Sequence, residues 1–206
     1  MRIIEIFKSI QGEGINQGYP CVFVRLAGCN LNCRWCDTPL ARDMYAGDEM
    51  PPDDVISGID RLGGRYVCIT GGEPMMQAEN VINLSKALHE RGFRIDIETN
   101  GSIDFRRVQK YASVCMDVKC PSSGEAGASD TSLISCLTEN DALKFVVEDE
   151  DDCRYAESVV KSTKPACPVF FSPVDGTDIS KIASYILDND LQVRLQLQLH
   201  RIIGMR

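Results

Sequence analysis

Short apolar runs alternate along the chain with longer stretches of helical period, which predicts strand followed by helix, repeated. The strand candidates are CVFVRLAG from Cys21, YVCIT from Tyr66, FRIDIET from Phe93, SVCMDVK from Ser113, ALKFVVE from Ala142, PVFFSP from Pro168 and QVRLQLQLH from Gln192, each bounded by turn or helix signals. The clearest helix covers 78–91, with Val81, Leu84 and Leu88 on one face and Gly92 as its stop. Another starts near Asp53, which is placed to cap it, and 149–162 and 178–188 open with acidic residues that suit the positive end of a helix dipole. The Ser- and Gly-rich segment 121–130 reads as a long loop over the sheet edge.

This order predicts an α/β fold with a mainly parallel sheet, a partial (β/α) barrel whose site residues gather at the C-terminal ends of the strands. In the last strand, Val193, Leu195, Leu197 and Leu199 are expected to point one way and Arg194, Gln196, Gln198 and His200 the other. That alternation also fits an ordinary edge strand with one side in solvent.

With 206 residues, 44% hydrophobic and 25% charged, the chain is expected to form a single domain over 1–206. A net charge of -8 argues against a surface built to hold phosphate backbones, so no direct nucleic-acid binding is expected. No run approaches the length that spans a bilayer, and the start, MRIIEIFKSIQGEG, lacks the apolar core of a signal peptide. The expectation is a cytoplasmic protein with reduced thiols. Of its ten cysteines, Cys21, Cys68, Cys115, Cys120, Cys136, Cys153 and Cys167 lie scattered and read mostly as small core residues.

The remaining three, Cys29, Cys33 and Cys36 in GCNLNCRWCDT, are different. An iron–sulfur cube normally takes four cysteine ligands, and three leave one iron open to bind something else. This spacing resembles the signature of the radical S-adenosylmethionine (SAM) superfamily, in which the open iron holds the amino and carboxylate groups of SAM. A zinc knuckle or unligated core cysteines are the plainer readings. TGGEP at 70–74 follows a strand and precedes a helix, where paired glycines permit close backbone approach.

Together EIFKSIQGEG, FVRLAGCNLNCRWCDT, TGGEP, ETNG, DVKCPSSG and the late QLH resemble the 7-carboxy-7-deazaguanine synthases, in order and over nearly the whole chain. The resemblance implies the radical SAM type of partial barrel, with a [4Fe–4S] cluster on Cys29, Cys33 and Cys36. It also implies SAM, Mg²⁺ at Thr38, and a lyase acting on 6-carboxy-5,6,7,8-tetrahydropterin in queuosine or archaeosine biosynthesis. SAM contacts are implied at Trp35, Asp37, Gly71, Gly72, Glu73, Asn100, Asp117, Lys119 and Ser172. Substrate contacts are implied at Gln11, Gly12, Glu13, Arg25, Thr70, Gln198 and His200. An electron donor such as flavodoxin or ferredoxin and a homodimer complete what the family leads one to expect.

The residues also carry plainer readings. Arg25 in an apolar strand needs an anion, which a carboxylated substrate or an internal pair with Glu5, Glu13 or Asp117 would supply. Thr38 alone reads as a helix cap, and Asp117 and Lys119, two apart on one strand face, read equally as a salt bridge. Trp35 covers the cluster or fills core, and His89 lies on a solvated helix face. Arg201 departs from the lysine common in the family after the corresponding histidine. Two rival functions share the cysteines: a glycyl-radical-activating enzyme, which needs a protein partner, and a noncatalytic metal-binding module.

Overall fold

The computed structural model describes residues 1–205. Nine strands form one sheet in the order β3-β1-β2-β4-β5-β6-β7-β8-β9. They are β1 (Arg2–Ile10), β2 (Pro20–Leu26), β3 (Asp48–Glu49), β4 (Tyr66–Gly71), β5 (Arg94–Thr99), β6 (Ser113–Val118), β7 (Ala142–Val147), β8 (Val169–Pro173) and β9 (Arg194–Leu195). From β2 to β9 every neighbouring pair is parallel, whereas β1 runs antiparallel to both β2 and β3. The helices are α1 (Pro52–Leu62), α2 (Ala78–Glu90), α3 (Glu150–Thr163), α4 (Ile179–Asp188) and α5 (Leu199–Ile202). This is the α/β, mainly parallel open sheet expected of a partial barrel.

The period of two in the strands divides the sheet into two chemically different faces. Val22, Val24 and Leu26, then Val67 and Ile69, Ile95 and Ile97, Val114, Met116 and Val118, and Leu143, Phe145 and Val147 all enter one core. That core is shared with Val55 and Ile59 of α1, Val81, Leu84 and Leu88 of α2, Ala156 of α3 and Ile182 of α4. The alternate positions face the other way and carry Arg25, Thr70, Glu98, Asp117 and Lys144, all of which border one cavity. Burial of the aliphatic face against helices therefore fixes the register that presents the polar face inward.

Helix ends follow local chemistry. Asp149 and Asp178 accept from the backbone N–H of Asp152 and Ser180 and so cap α3 and α4. Asp53 does not cap α1; the cap position is Pro51, and Asp53 lies inside the first turn.

Three expectations are corrected. The first strand, β1, is absent from the sequence reading because its alternation is masked by Glu5 and Lys8; it forms by pairing along most of β2. The last predicted strand shrinks to Arg194–Leu195 and gives way to α5 at Leu199; Val193 packs on the core and Gln198 and His200 border the cavity, but the expected packing of the leucines fails at 195–197. Gln196 is buried while Leu195 and Leu197 are exposed, because Gln196 exchanges two hydrogen bonds with the backbone of Gly14. The segment 121–130 does not lie over the sheet edge, since β6 is an interior strand and the loop sits above its C-terminal end.

Candidate active site

A cavity of about 890 Å³ opens above the C-terminal ends of β2, β4, β5 and β6, large enough for a cofactor and a small substrate together. One wall carries Cys29, Cys33, Trp35, Cys36, Asp37 and Thr38, from the loop between β2 and β3. The loop is pinned at both ends. Cys29 N–H donates to the Arg42 carbonyl at 3.1 Å, and the Arg42 guanidinium donates back to the Cys33 carbonyl at 2.5 Å. The loop at 121–125 clamps it from the other side. Arg34 N–H donates to Ser123, Asn32 N–H to the Glu125 carboxylate at 2.7 Å, and Trp35 Nε1 to Ser122 Oγ at 3.1 Å.

All three thiols are free. Burial pushes those of Cys29 and Cys33 up, a tendency that a bound metal's positive charge reverses by holding the thiolate. Among the described residues, no three His, Cys, Asp or Glu side chains converge closely enough for one metal ion. Cys29, Cys33 and Cys36 all border the same cavity, and three thiolates are the ligand set that leaves one iron of a cube open.

Gly71 and Gly72 form the floor beside them. Gly71 has φ +132°, and a Cβ there would overlap the Leu26 backbone; one at Gly72 would overlap the Gly28 and Ala41 carbonyls. The close approach that demands these glycines is thus between the cysteine loop and the end of β4, with Gly72 N–H on the Leu26 carbonyl and Glu73 N–H on that of Gly28. Glu73 itself is turned away. Its carboxylate is fully buried, accepts from Met75 N–H, Thr99 Oγ1 and Asn100 N–H, and is held above the usual carboxylate range by burial. A side-chain contact from Glu73 into the cavity is not what the structure shows.

Ser172 does not border the cavity either. It pairs in register with Val146, which with Val174 forms that part of the wall. Its Oγ is buried with no hydrogen-bond partner among the described residues, as is Asp117 Oδ1. Asn100, Asp117 and Lys119 do line the cavity. Asp117 and Lys119 pair at 2.9 Å, and the Lys119 ammonium stands 5.5 Å from the centre of the Trp35 ring.

The opposite wall is built from the loop between β1 and β2, the inner face of the sheet and the chain's last turn. Arg25 donates from Nε to Glu5 at 2.9 Å and from Nη1 to Thr38 Oγ1 at 3.2 Å. The internal pair with Glu5 therefore forms, and the guanidinium still borders the cavity. Thr38 makes no helix-capping bond; its hydroxyl donates to Asp37. Thr70 Oγ1 donates to Glu98 at 2.7 Å, and Gln11 Nε2 to the other oxygen of Glu98 at 3.3 Å. Glu13 accepts from Gln198 Nε2 at 2.6 Å and from Lys144 Nζ. Gly12 packs on the His200 ring so closely that a Cβ would overlap Nδ1.

The sequence-predicted residues thus converge, apart from the side chains of Glu73 and Ser172. Lys144 was missed. Its signal is a lone lysine in the apolar run ALKFVVE, where a buried ammonium needs partners. Gln196, which ties the last segment to Gly14, carried no local signal. Arg201 lines the rim and pairs with Asp175 at 3.0 Å.

Comparison with known proteins agrees with this geometry. The Radical SAM superfamily model matches residues 23–118. The chain is 49% identical over 205 residues to the 7-carboxy-7-deazaguanine synthase of Methanospirillum hungatei, covering all of this chain and 86% of that protein. It is 35% identical to the synthase of Koribacter versatilis over 98% of this chain and 96% of the other. Among solved structures, QueE from Escherichia coli superposes with a TM-score of 0.76 at 26% identity, over 97% and 94% of the two chains. SuiB from Streptococcus suis, at 14% identity and a TM-score of 0.62 over 88% of this chain and 50% of that one, shares the fold. No helix among the described residues is long and apolar enough to cross a membrane. With cysteine trio, cavity and full-length relatives in agreement, the chain belongs to the 7-carboxy-7-deazaguanine synthase family and is an enzyme of the radical SAM type, with the [4Fe–4S] cluster and SAM which that type carries.

Proposed function

We propose that this enzyme is a lyase that converts 6-carboxy-5,6,7,8-tetrahydropterin to 7-carboxy-7-deazaguanine and ammonia, in queuosine or archaeosine biosynthesis. The observation that carries this reading is the division of one cavity between a three-cysteine wall and a wall of Gln11, Glu13, Arg25, Thr70 and Glu98. Atoms in the substrate equal those in product plus ammonia, so the overall conversion consumes no external oxidant.

Cys29, Cys33 and Cys36 would hold the cluster and leave an iron open to SAM. When bound, the cluster and SAM would supply one-electron chemistry that removes a hydrogen atom from a substrate carbon. The chain's own residues position and shield. The backbone at Gly71 and Gly72 faces the SAM ammonium, while Asn100, Lys119 and the unpartnered Asp117 Oδ1 suit its carboxylate and ribose hydroxyls. Trp35 and Asp37 close that side.

Arg25 receives the substrate carboxylate, with Glu5 fixing the plane of the guanidinium. Gln11, Glu13, Thr70, Gln198 and His200 frame the pterin edge, which presents both donors and acceptors. Thr38 Oγ1, between Arg25 and Asp37, is a suitable oxygen ligand for Mg²⁺ shared with the substrate. Enclosure under the 121–125 loop keeps water from the reacting centre. A single domain, a homodimer, a flavodoxin or ferredoxin as reductant and a cytoplasmic site of action belong to the same proposal.

The test is an anaerobic assay of iron-reconstituted, reduced protein with SAM, Mg²⁺ and 6-carboxytetrahydropterin, read by mass spectrometry. Formation of 7-carboxy-7-deazaguanine is expected, and Cys33→Ala is expected to lose both iron and turnover. SAM cleavage with the pterin left intact would reject the substrate.

A further inference from the structure

Lys144 rises from the middle of β7 on the inner face of the sheet and is buried, 6% exposed, at the base of the cavity. Taking an ammonium out of water costs several kcal/mol unless it is well paired. Here its pairing is specific. Nζ contacts Glu13 Oε2 and lies 3.4 Å from Asp117 Oδ2 on the neighbouring strand, where Asp117 and Lys144 are in register. Among the described residues Lys144 is the one cation in ion-pair contact with Glu13, whereas Asp117 also has Lys119. The charges alternate along Lys119, Asp117, Lys144 and Glu13. Removing Lys144 therefore leaves Asp117 paired and strands Glu13.

Glu13 sits on a loop with no regular structure, so its carboxylate is aimed by side chains alone. Lys144 holds one oxygen and Gln198 the other, which leaves further lone pairs directed at the cavity. We propose that Lys144 is a positioning residue: anchored on Asp117, it holds Glu13 as a charged acceptor for the N–H donors of a bound 2-amino-4-oxopyrimidine ring. The inference rests on the pterin reading above and adds to it the residue that sets the state of the acceptor.

The titratable groups that face Glu13 are Lys144 from β7, Asp117 and Cys115 from β6, Glu98 from β5, Asp37 from the cysteine loop, and His200 from α5 across Gly12. Of these, Lys144 is the cation, and it is the largest influence drawing the Glu13 proton away. Burial alone pushes the Glu13 carboxyl up, and the Lys144 ammonium together with the Gln198 amide more than offsets it. Without that cation Glu13 takes up a proton more readily, and the ring loses a charged acceptor. Affinity then returns as pH rises and the proton leaves.

The experiment is calorimetric titration of cluster-loaded, SAM-saturated protein with 6-carboxypterin, an oxidised analogue that binds without turnover, between about pH 5.5 and pH 7.5, below the range in which the pterin ring loses its own amide proton. Wild type is expected to bind with little pH dependence. Lys144→Met is expected to bind roughly tenfold or more weakly at the acid end and to recover toward the upper end of that range, with Lys144→Arg intermediate. In a Glu13→Gln background, Lys144→Met is expected to change the affinity little, because the two residues act as one unit. SAM affinity, titrated separately, stays close to wild type. Equal losses in both backgrounds, or a loss without pH dependence, would overturn the role of Lys144. Wild type that binds SAM but not 6-carboxypterin would instead overturn the pterin reading. If Lys144→Met does not fold, Lys144→Gln against Lys144→Arg carries the same comparison.

Discussion

Glu5 and Arg25 stand opposite each other on β1 and β2, and the guanidinium Nε donates to the Glu5 carboxylate at 2.9 Å. With Phe7 stacked 5.4 Å beneath and Thr38 on Nη1, the guanidinium has one orientation. Arg25→Lys loses the planar fork and is expected to raise KM for the pterin about a hundredfold. Glu5→Gln keeps a neutral acceptor and is expected to raise KM by less than about tenfold, with kcat nearly unchanged. Steady-state kinetics with the carboxylated substrate check both, and equal effects would argue against a hierarchy in which Arg25 binds and Glu5 orients.

Gly12 and His200 make a contact that tolerates no added atom. Gly12→Ala is expected to destabilise the fold by about 1–3 kcal/mol through overpacking, or to push His200 out of the cavity. Either route weakens pterin binding. Gly12→Ala combined with His200→Ala is expected to recover the melting temperature but not the affinity, which separates packing from recognition.

The Glu13–Lys144 pair also has a signature in stability. Lys144, aided by Gln198, holds the folded-state Glu13 carboxyl below its ordinary value of 4.5 against the opposing effect of burial, so the pair stabilises fully above that value and the contribution fades as pH falls through the lowered one. Lys144 is raised well above 10.5, so its side of the pair persists through neutral and mildly alkaline pH. Glu13→Gln is expected to cost about 3–5 kcal/mol near neutrality, because it leaves a buried ammonium short of a counter-charge. Thermal melts of both proteins should converge as the solution is acidified.

Asp152, fully buried at the start of α3, accepts from Ser122 N–H at 2.9 Å, from Glu148 N–H at 2.8 Å and from Ser122 Oγ. Ser122 in turn receives the Trp35 indole N–H. Asp152→Ala is expected to cost roughly 2–4 kcal/mol from unmade buried hydrogen bonds. It should also loosen the lid over the cysteine loop. Since Trp35 is the only tryptophan, its emission should shift red in the variant. Unchanged emission would detach the lid from Asp152.

Several features were legible because their physics is local. The 29–33–36 spacing, the acidic caps of α3 and α4 and the aliphatic alternation of the central strands each depend on residues a few positions apart. The structure places Arg25, Thr70 and Asp117 on the face opposite the aliphatic core, as the period of two along each strand requires. Local pattern failed where a distant partner overrode it. At 192–200 the leucines predicted the buried side, yet Gln196 went inside because Gly14 offered it two hydrogen bonds from 182 residues away. Glu73 looked like a cavity carboxylate from its motif, but Thr99 at the end of the next strand and Asn100 just beyond it claimed it.

What the amino-acid order determined by itself is the set of central elements, β2 and β4 to β8 with their helices, and the thiols available to a cluster. Backbone preference and hydrophobic period act within a few residues, so they can be read along the chain. Only the tertiary structure decided that Lys144 meets Glu13 across 131 residues and that Gln198 meets it across 185. Those encounters depend on strand order and on how the loops close over the sheet. Because burying a polar group demands a partner without specifying which, the pairing is settled by the completed fold.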